Sequence, residues 1–405
     1  MKRRKVVLLT TGFPYGTGEN FISAELNALP EYIALDIVPF MFNRTDGKRS
    51  LPGNVRVIDD CRVAQSNLKK IKYSLQALTS KDFWGEVKAR NDVTYKTFFQ
   101  MLGFYSRSLE LFFNLKKKYS NEIKERTVIF YSYWLLEGAY AASLLQKKYR
   151  IKAYSRAHRV DVWDGMSAYG IVPARKETLK NITSVFVCSQ DGRDYLQKRN
   201  PQYADKFKVS YLGTQDYGWK PGDNRSDEFV IVSCARIEPV KRVELLAEVL
   251  KTITDVKIHW VHFGDGSCRK TVDEAVAQLP DNIRVSLMGT TPHDDVMSYY
   301  CHNSVNLFVN TSSSEGLPVS IMEAISFGIP VIATDVGGTR EISNEETGML
   351  LPADFKIADL ANVIRTYSQL SSEDYSEKRL RARKFWSQHF SADKNYKAFY
   401  HEITN

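Results

Sequence analysis

No stretch of this 405-residue chain approaches the ~18 consecutive apolar residues that span a bilayer. The basic start, Met1 to Lys5, leads into Val6 to Leu9, but the apolar run stops at Thr10, Thr11 and Gly12. That reads as a first strand and not as a signal peptide. Cysteine is scarce: Cys61, Cys188, Cys234, Cys268 and Cys301 are odd in number, widely spaced and without a C-x-x-C. This argues against a disulfide framework or zinc site and makes a reducing cytoplasm the default compartment. His259 and His262 flank a strand end with no partner at metal-ligand spacing. There is no D-x-D triplet, since Asp59-Asp60 and Asp294-Asp295 are adjacent pairs, and no G-x-G-x-x-G, internal repeat or low-complexity segment.

What is present is enough apolar residue, 43%, to build two full cores. Strand and helix patterns alternate through both halves, which predicts an α/β protein with two parallel-sheet, Rossmann-like domains. The first half offers strands at Val6 to Thr10, Ala34 to Phe40, Val128 to Tyr131, Ala153 to Arg156, Ser184 to Cys188 and Lys208 to Tyr211. The second offers Val230 to Cys234, Lys257 to Phe263, Arg284 to Met288, Val305 to Asn310, Val331 to Thr334 and Met349 to Leu351. Thr214 to Asp227, rich in Gly, Pro, Asp and Asn, is the expected linker. The domains are therefore drawn as 1–215 and 216–385, followed by a terminal helix, 386–405.

Glu315 and Glu323 frame the segment Glu-Gly-Leu-Pro-Val-Ser-Ile-Met-Glu. Pro318 suits the first helical position, because its φ is already helical and its missing N–H has no intrahelical partner there. A helix starting near Leu317 or Pro318 and stopping at Gly328 puts Glu315 on a loop and Glu323 about 7 to 8 Å down the axis. The N–H groups and positive dipole at a helix start attract phosphate, while two carboxylates accept from hydroxyls. A ligand with a diphosphate and several hydroxyls, such as a nucleotide sugar, fits both. The alternative is an ordinary helix with Glu323 on its exposed face and Glu315 a loop charge.

The stretch TSSSEGLPVSIMEAISFGIPVIATDVGGTRE, Thr311 to Glu341, closely resembles the E-x7-E region of retaining glycosyltransferases of family four. The resemblance is detailed over residues 229–350 and loose before about residue 150. It implies the GT-B architecture, two Rossmann-like domains facing a central cleft, with an acceptor-binding first domain, a donor-binding second and a last helix, Trp386 to Ile403, returning to the first. By the same resemblance Arg236 and Lys241, placed after the strand in FVIVSCARIEPVKR, hold the donor diphosphate. Physically, an Arg fork and a Lys point charge stabilise a leaving diphosphate; alone, the pair also reads as a solvated helix start. The helix end at Leu317 and Pro318 is expected to add N–H donors beside Gly316, Glu323 to bind ribose hydroxyls, and Glu315 to contact the transferred sugar. Gly289 and Thr290 are expected to border the base. In YSRAHRVD, His158 is expected to touch the donor sugar, although a lone His is more often structural. Arg156, Arg159 and Asp161 are expected to share its loop, either on the acceptor side or fixing the His. Gly16 and Gly18, in the turn TGFPYGTGEN, would let backbone approach the donor.

The implied reaction is transfer of a sugar, with retention, from a UDP- or GDP-sugar to a saccharide acceptor, expected to be lipid-linked. The missing D-x-D agrees with a metal-independent enzyme that needs no cofactor. The rival readings are a nucleotide-sugar epimerase of GT-B-like fold and a noncatalytic GT-B partner subunit. The first would need acid and base groups flanking one sugar carbon.

Charge is unevenly spread: residues 1–215 carry a net +16 and residues 216–405 a net −7, within the total of +9. The basic residues concentrate in a helical region at about 61–125, where Lys69, Lys70, Lys72, Lys81, Lys88 and Lys96 alternate with aromatics such as Tyr73, Phe83, Trp84, Tyr95 and Phe99. Three readings compete: an insert with inward aromatics and solvated lysines, an anionic membrane surface, or nucleic acid. Nucleic acid is set aside as a partner. The expected localisation is cytoplasmic, peripheral on the inner face of the cell membrane.

Overall fold

Val6 to Thr10 are all buried within β1, Lys5–Thr10. A parallel strand is covered on both faces, so its sequence is a continuous apolar run and not an alternating one. The computed structural model describes residues 5–405 other than 17, 20, 44, 64, 65, 168, 169, 221 and 223–226. The chain divides into two units, residues 1–211 with 396–405, and residues 212–395.

The first unit holds β1, β2 (Leu35–Pro39), β3 (Val55–Val57), β4 (Val128–Ser132), β5 (Lys152–Ala157), β6 (Ser184–Val187) and β7 (Phe207–Val209). They lie in the order β3-β2-β1-β4-β5-β6-β7, every pair parallel. β3 was not expected from the sequence, because a three-residue edge strand with an exposed central Arg56 carries almost no apolar pattern. A second apolar cluster, including Phe83, Met101, Phe104, Tyr105 and Tyr140, seats the helices Asn67–Leu78, Lys81–Ala89 and Tyr95–Lys118. So most aromatics of the basic region do pack inward.

The last helix, Ala392–Thr404, spans the division, and its residues from Tyr396 onward belong to the first unit. There the ring of Phe399 covers the guanidinium of Arg156 at 4.3 Å, and Tyr400 donates to Glu25 at 2.9 Å. Arg156 is fully buried, donates to Tyr131 Oη at 2.8 Å and Ser210 O at 2.9 Å, and lies 3.5 Å from Glu25. The expectation that Arg156 shares the loop of His158 is corrected: it sits in β5 and cross-links the core.

The second unit holds β8 (Phe229–Cys234), β9 (Ile258–Phe263), β10 (Ile283–Leu287), β11 (Leu307–Asn310), β12 (Val331–Thr334) and β13 (Gly348–Leu351). Its parallel order is β10-β9-β8-β11-β12-β13. In each sheet the order reverses once, between β1 and β4 and between β8 and β11. The loops leaving the carboxyl ends at such a reversal diverge to opposite faces and open a crevice for a ligand.

Candidate active site

The reversal in the second sheet sets the loop after β8 beside the loop after β11, and both are fastened by backbone contacts. Ser313 N–H donates to Val240 O at 2.8 Å, and Thr311 Oγ1 to Arg242 O at 2.9 Å. Arg242, at φ +48°, returns its guanidinium to Thr311 O at 2.7 Å, Ser312 O at 3.2 Å and Ala353 O at 2.8 Å. It is a clamp on the scaffold. Its neighbour Lys241 is thereby aimed at the second loop, where Nζ donates to Glu315 Oε1 at 2.6 Å. Asn310 Nδ2 reaches the same oxygen at 3.4 Å. Lys241 keeps about a fifth of its side chain in solvent and Glu315 8%. Arg236 leaves β8 two residues past its end and is exposed.

Glycines close the floor of this crevice. A Cβ on Gly264 would lie 1.9 Å from Ala235 O, and one on Gly337, at φ +54°, would lie 2.0 Å from Glu315 O. Gly338 N–H donates to Gly316 O at 2.8 Å, so the Gly337-Gly338 turn lies directly on the Glu315-Gly316 backbone. Gly289, at φ +67°, accepts at its carbonyl from Gly264 N–H at 2.9 Å and from Thr291 Oγ1 at 3.2 Å. Thr290 follows it in the loop ahead of the helix His293–His302.

The acidic helix is Val319–Ser326, with Pro318 as its N-cap residue. It therefore begins one residue later than expected, and Pro318 has no N–H to offer. The N–H groups left without an intrahelical acceptor by position are those of Val319 and Ser320. Gly328, at φ +68°, is the expected stop. Glu323 is not on an exposed face: it is 9% exposed, and its Oε1 lies 2.8 Å from His293 Nε2. That hydrogen bond to Glu323 raises the His293 pKa, against partial burial. His262 is buried, its Nδ1 is 2.8 Å from Ser233 Oγ, and burial pushes it down to about 4.

The first unit presents a separate group at its own reversal. Glu19 accepts from the backbone N–H of Thr11 at 3.2 Å, Gly12 at 2.8 Å and Phe13 at 2.7 Å, and from Trp134 Nε1 at 2.6 Å. The converging amides of the loop after β1 thus hold a carboxylate of the same loop. Gly16 N–H donates to Gly47 O at 3.1 Å, and the carbonyls of Gly16 and Gly18 each accept from Arg49 at 2.8 Å. His158, one residue past β5, is buried against the rings of Tyr133 at 4.8 Å, Trp134 at 4.7 Å and Phe21 at 5.7 Å. Burial, with Arg156 nearby, pushes it down to about 3, so it is neutral in ordinary buffers. Neither ring nitrogen has a partner among the described residues. Asp161 holds the His158 backbone N–H at 2.5 Å and the Leu135 N–H at 2.6 Å, and burial pushes its carboxyl up to about 7 against those two bonds.

The structure therefore brings Lys241, Glu315, Gly316, Leu317, Pro318 and Glu323 into one unit with Arg236, Gly289 and Thr290. Gly16, Gly18 and His158 belong to the other. Sequence reasoning missed Asn310, His293 and Glu19, whose partners lie across loops and carry no local spacing signal. The reversal thus carries a lysine, two buried carboxylates and glycine turns in one unit.

Residues 220–385 match the model of the family "Glycosyl transferases group 1". Among curated relatives, the GtfA subunit of the UDP-N-acetylglucosamine–peptide N-acetylglucosaminyltransferase of Streptococcus agalactiae is 29% identical over 128 residues, 31% of this chain and 24% of that protein. One of the proteins that make up the human phosphatidylinositol N-acetylglucosaminyltransferase is 29% identical over 123 residues, 30% of this chain and 25% of that one. The chain thus spans about a quarter of the length of these curated relatives. Among solved structures, Anabaena HepE in complex with UDP superposes with a TM-score of 0.66 at 15% identity, over 98% of this chain and 99% of that one. The likeness to HepE is one of fold. The match to the glycosyl transferases group 1 model spans the crevice residues from Arg236 to Gly338.

Proposed function

We propose that this chain is a retaining glycosyltransferase of family four that transfers a sugar from a nucleotide diphosphate sugar to a saccharide, lipid-linked acceptor. The observation that carries the reading is the Lys241–Glu315 pair beside buried Glu323, inside the segment that matches the glycosyl transferases group 1 model. The UDP in the HepE complex and the UDP-N-acetylglucosamine in the name of the streptococcal relative support a nucleotide-sugar donor. The phosphatidylinositol in the name of the human relative supports a lipid acceptor.

An ammonium has three N–H donors, so Lys241 can keep Glu315 and still give one to a phosphate oxygen. Arg236 supplies the exposed planar fork. Together they offset the negative charge that builds on the diphosphate as the anomeric C–O bond breaks. Glu323, held by His293 on one oxygen, offers the other to ribose hydroxyls, and Glu315 accepts from the sugar. The acceptor hydroxyl attacks from the face the diphosphate leaves, and a leaving-group oxygen takes its proton, so no protein nucleophile is needed. Within the first unit His158, neutral and ringed by aromatics, is available as a hydrogen-bonding group and not as an acid. No metal or cofactor takes part.

The test is a thermal-shift and turnover screen with UDP, GDP, ADP and dTDP sugars in EDTA. One nucleotide family should stabilise the protein and be released slowly as free diphosphate. Absence of a shift with all of them refutes the reading, and turnover that EDTA abolishes refutes its metal independence.

A further inference from the structure

Six of the thirteen large apolar side chains exposed among the described residues lie between residues 68 and 99: Leu68, Ile71, Leu75, Trp84, Tyr95 and Phe99. Three of them share the helix Asn67–Leu78, where at ~100° per residue Leu68, Ile71 and Leu75 fall within a ~60° arc. Leu68 is 82% exposed and Leu75 60%. The buried residues of the same helix, Tyr73 and Ala77, lie on the opposite side, where Tyr73 packs on Phe113 at 5.9 Å. This helix therefore carries two apolar faces, and the core uses only one. Amphipathic patterning toward the core does not account for the outward stripe.

The aromatics continue that surface. Trp84 donates its Nε1–H to Leu78 O at 2.6 Å, at the end of the same helix. Its ring is 6.2 Å from Phe98, which is 5.5 Å from Phe99, which is 4.7 Å from Tyr95. Lysines border this surface: Lys72 lies ~40° from Leu68 around the helix, Lys81, Lys88 and Lys96 are exposed in the segments that follow, and Lys69 reaches Glu110 at 3.7 Å. Of the carboxylates in residues 66–99, only Asp92 is exposed, and it lies 3.2 Å from Arg90. Asp82 and Glu86 are spent inward on Tyr140 and Tyr105.

We propose that this face docks on an anionic lipid bilayer, with Leu68, Ile71 and Leu75 entering the boundary between headgroups and acyl chains. Aliphatic side chains flanked by lysine, with Trp and Tyr at the edge, match an interface that is apolar below and anionic above. Charge complementarity selects this occupant: exposed lysines with a single exposed carboxylate in residues 66–99, beside an outward aliphatic stripe, match a surface that is both anionic and apolar. Among the described residues no helix is long and apolar enough to cross a membrane. Docking of this kind needs only the surface itself, whatever reaction the crevice carries out.

The test is co-sedimentation of the full chain with vesicles of phosphatidylcholine alone or with 30% phosphatidylglycerol. The wild type should bind the anionic vesicles at least tenfold more tightly, and added salt should weaken the binding. The triple variant Leu68→Ser, Ile71→Ser, Leu75→Ser and the variant Lys72→Glu should each lose that binding by tenfold or more, with an unchanged melting temperature confirming the fold. Equal binding of wild type and triple variant, or no binding to anionic vesicles, overturns the proposal. A self-association that the triple variant abolishes, without lipid binding, assigns the face to a second copy and overturns it too.

Discussion

Replacing Lys241 by Met removes one charge from a pair 2.6 Å apart and leaves Glu315, 8% exposed, with Asn310 Nδ2 at 3.4 Å as its remaining side-chain donor among the described residues. The gross attraction at that separation is about 6 kcal/mol for an effective dielectric of ~20, and desolvation of both groups offsets most of it. What remains for a charge-assisted hydrogen bond is about 1.5–3 kcal/mol, and stranding the carboxylate places Lys241→Met near the upper part of that range. For a unit of this size that lowers the melting temperature by about 4–12 °C. Glu315→Gln keeps a neutral acceptor and leaves the lysine able to reach water, so it should cost about half as much. The double variant should recover roughly 1.5 kcal/mol relative to the summed single effects, because neither group is then left charged and alone. Thermal and urea unfolding of the four proteins measures this cycle. A second readout separates scaffold from site: nucleoside diphosphate at a hundredfold its dissociation constant stabilises the wild type by about 2.7 kcal/mol. Lys241→Met should lose most of that even after its lower baseline is subtracted. Strict additivity of the two substitutions, together with an undiminished ligand shift in Lys241→Met, refutes the reasoning.

His293 titrates above its ordinary value of 6.5 because it donates to Glu323. A cation stabilised by folding contributes fully below the unfolded pKa of ~6.5, and the contribution is lost as pH rises through the higher folded value. With 47% of the imidazole side chain in solvent the screened effect on stability is about 0.5–1 kcal/mol across that window. His293→Gln should flatten the pH profile of unfolding stability there, and a profile identical to wild type would rule the imidazole out. Gly337→Ala should destabilise by more than about 2 kcal/mol, since its Cβ meets Glu315 O at 2.0 Å on a left-handed backbone. Gly289→Ala, also at positive φ but with open space around the added carbon, should cost only about 1 kcal/mol, and equal losses in unfolding experiments would contradict the close-approach argument.

The strands and the fold class were legible because each rests on a short-range signal, whereas Arg236, Lys241, Glu315 and Glu323 were singled out by family resemblance. A parallel strand is a run of apolar residues, and a helix start is a Gly-Leu-Pro turn. The exceptions are local as well: β3 was missed because three residues hold too little pattern, and the acidic helix began one residue late because proline serves as cap. Tertiary structure alone decided which charges meet. Lys241 finds Glu315 across 74 residues, and His293 finds Glu323 across 30, only because β11 crosses over to lie beside β8. The same holds for Arg156, whose place in a strand beneath the last helix makes it a core cation, and for Glu19, which takes the backbone amides of Thr11, Gly12 and Phe13. Local preference is a matter of a few residues' backbone and side-chain sterics, whereas the partner of a charge depends on strand order, which no window of the sequence contains.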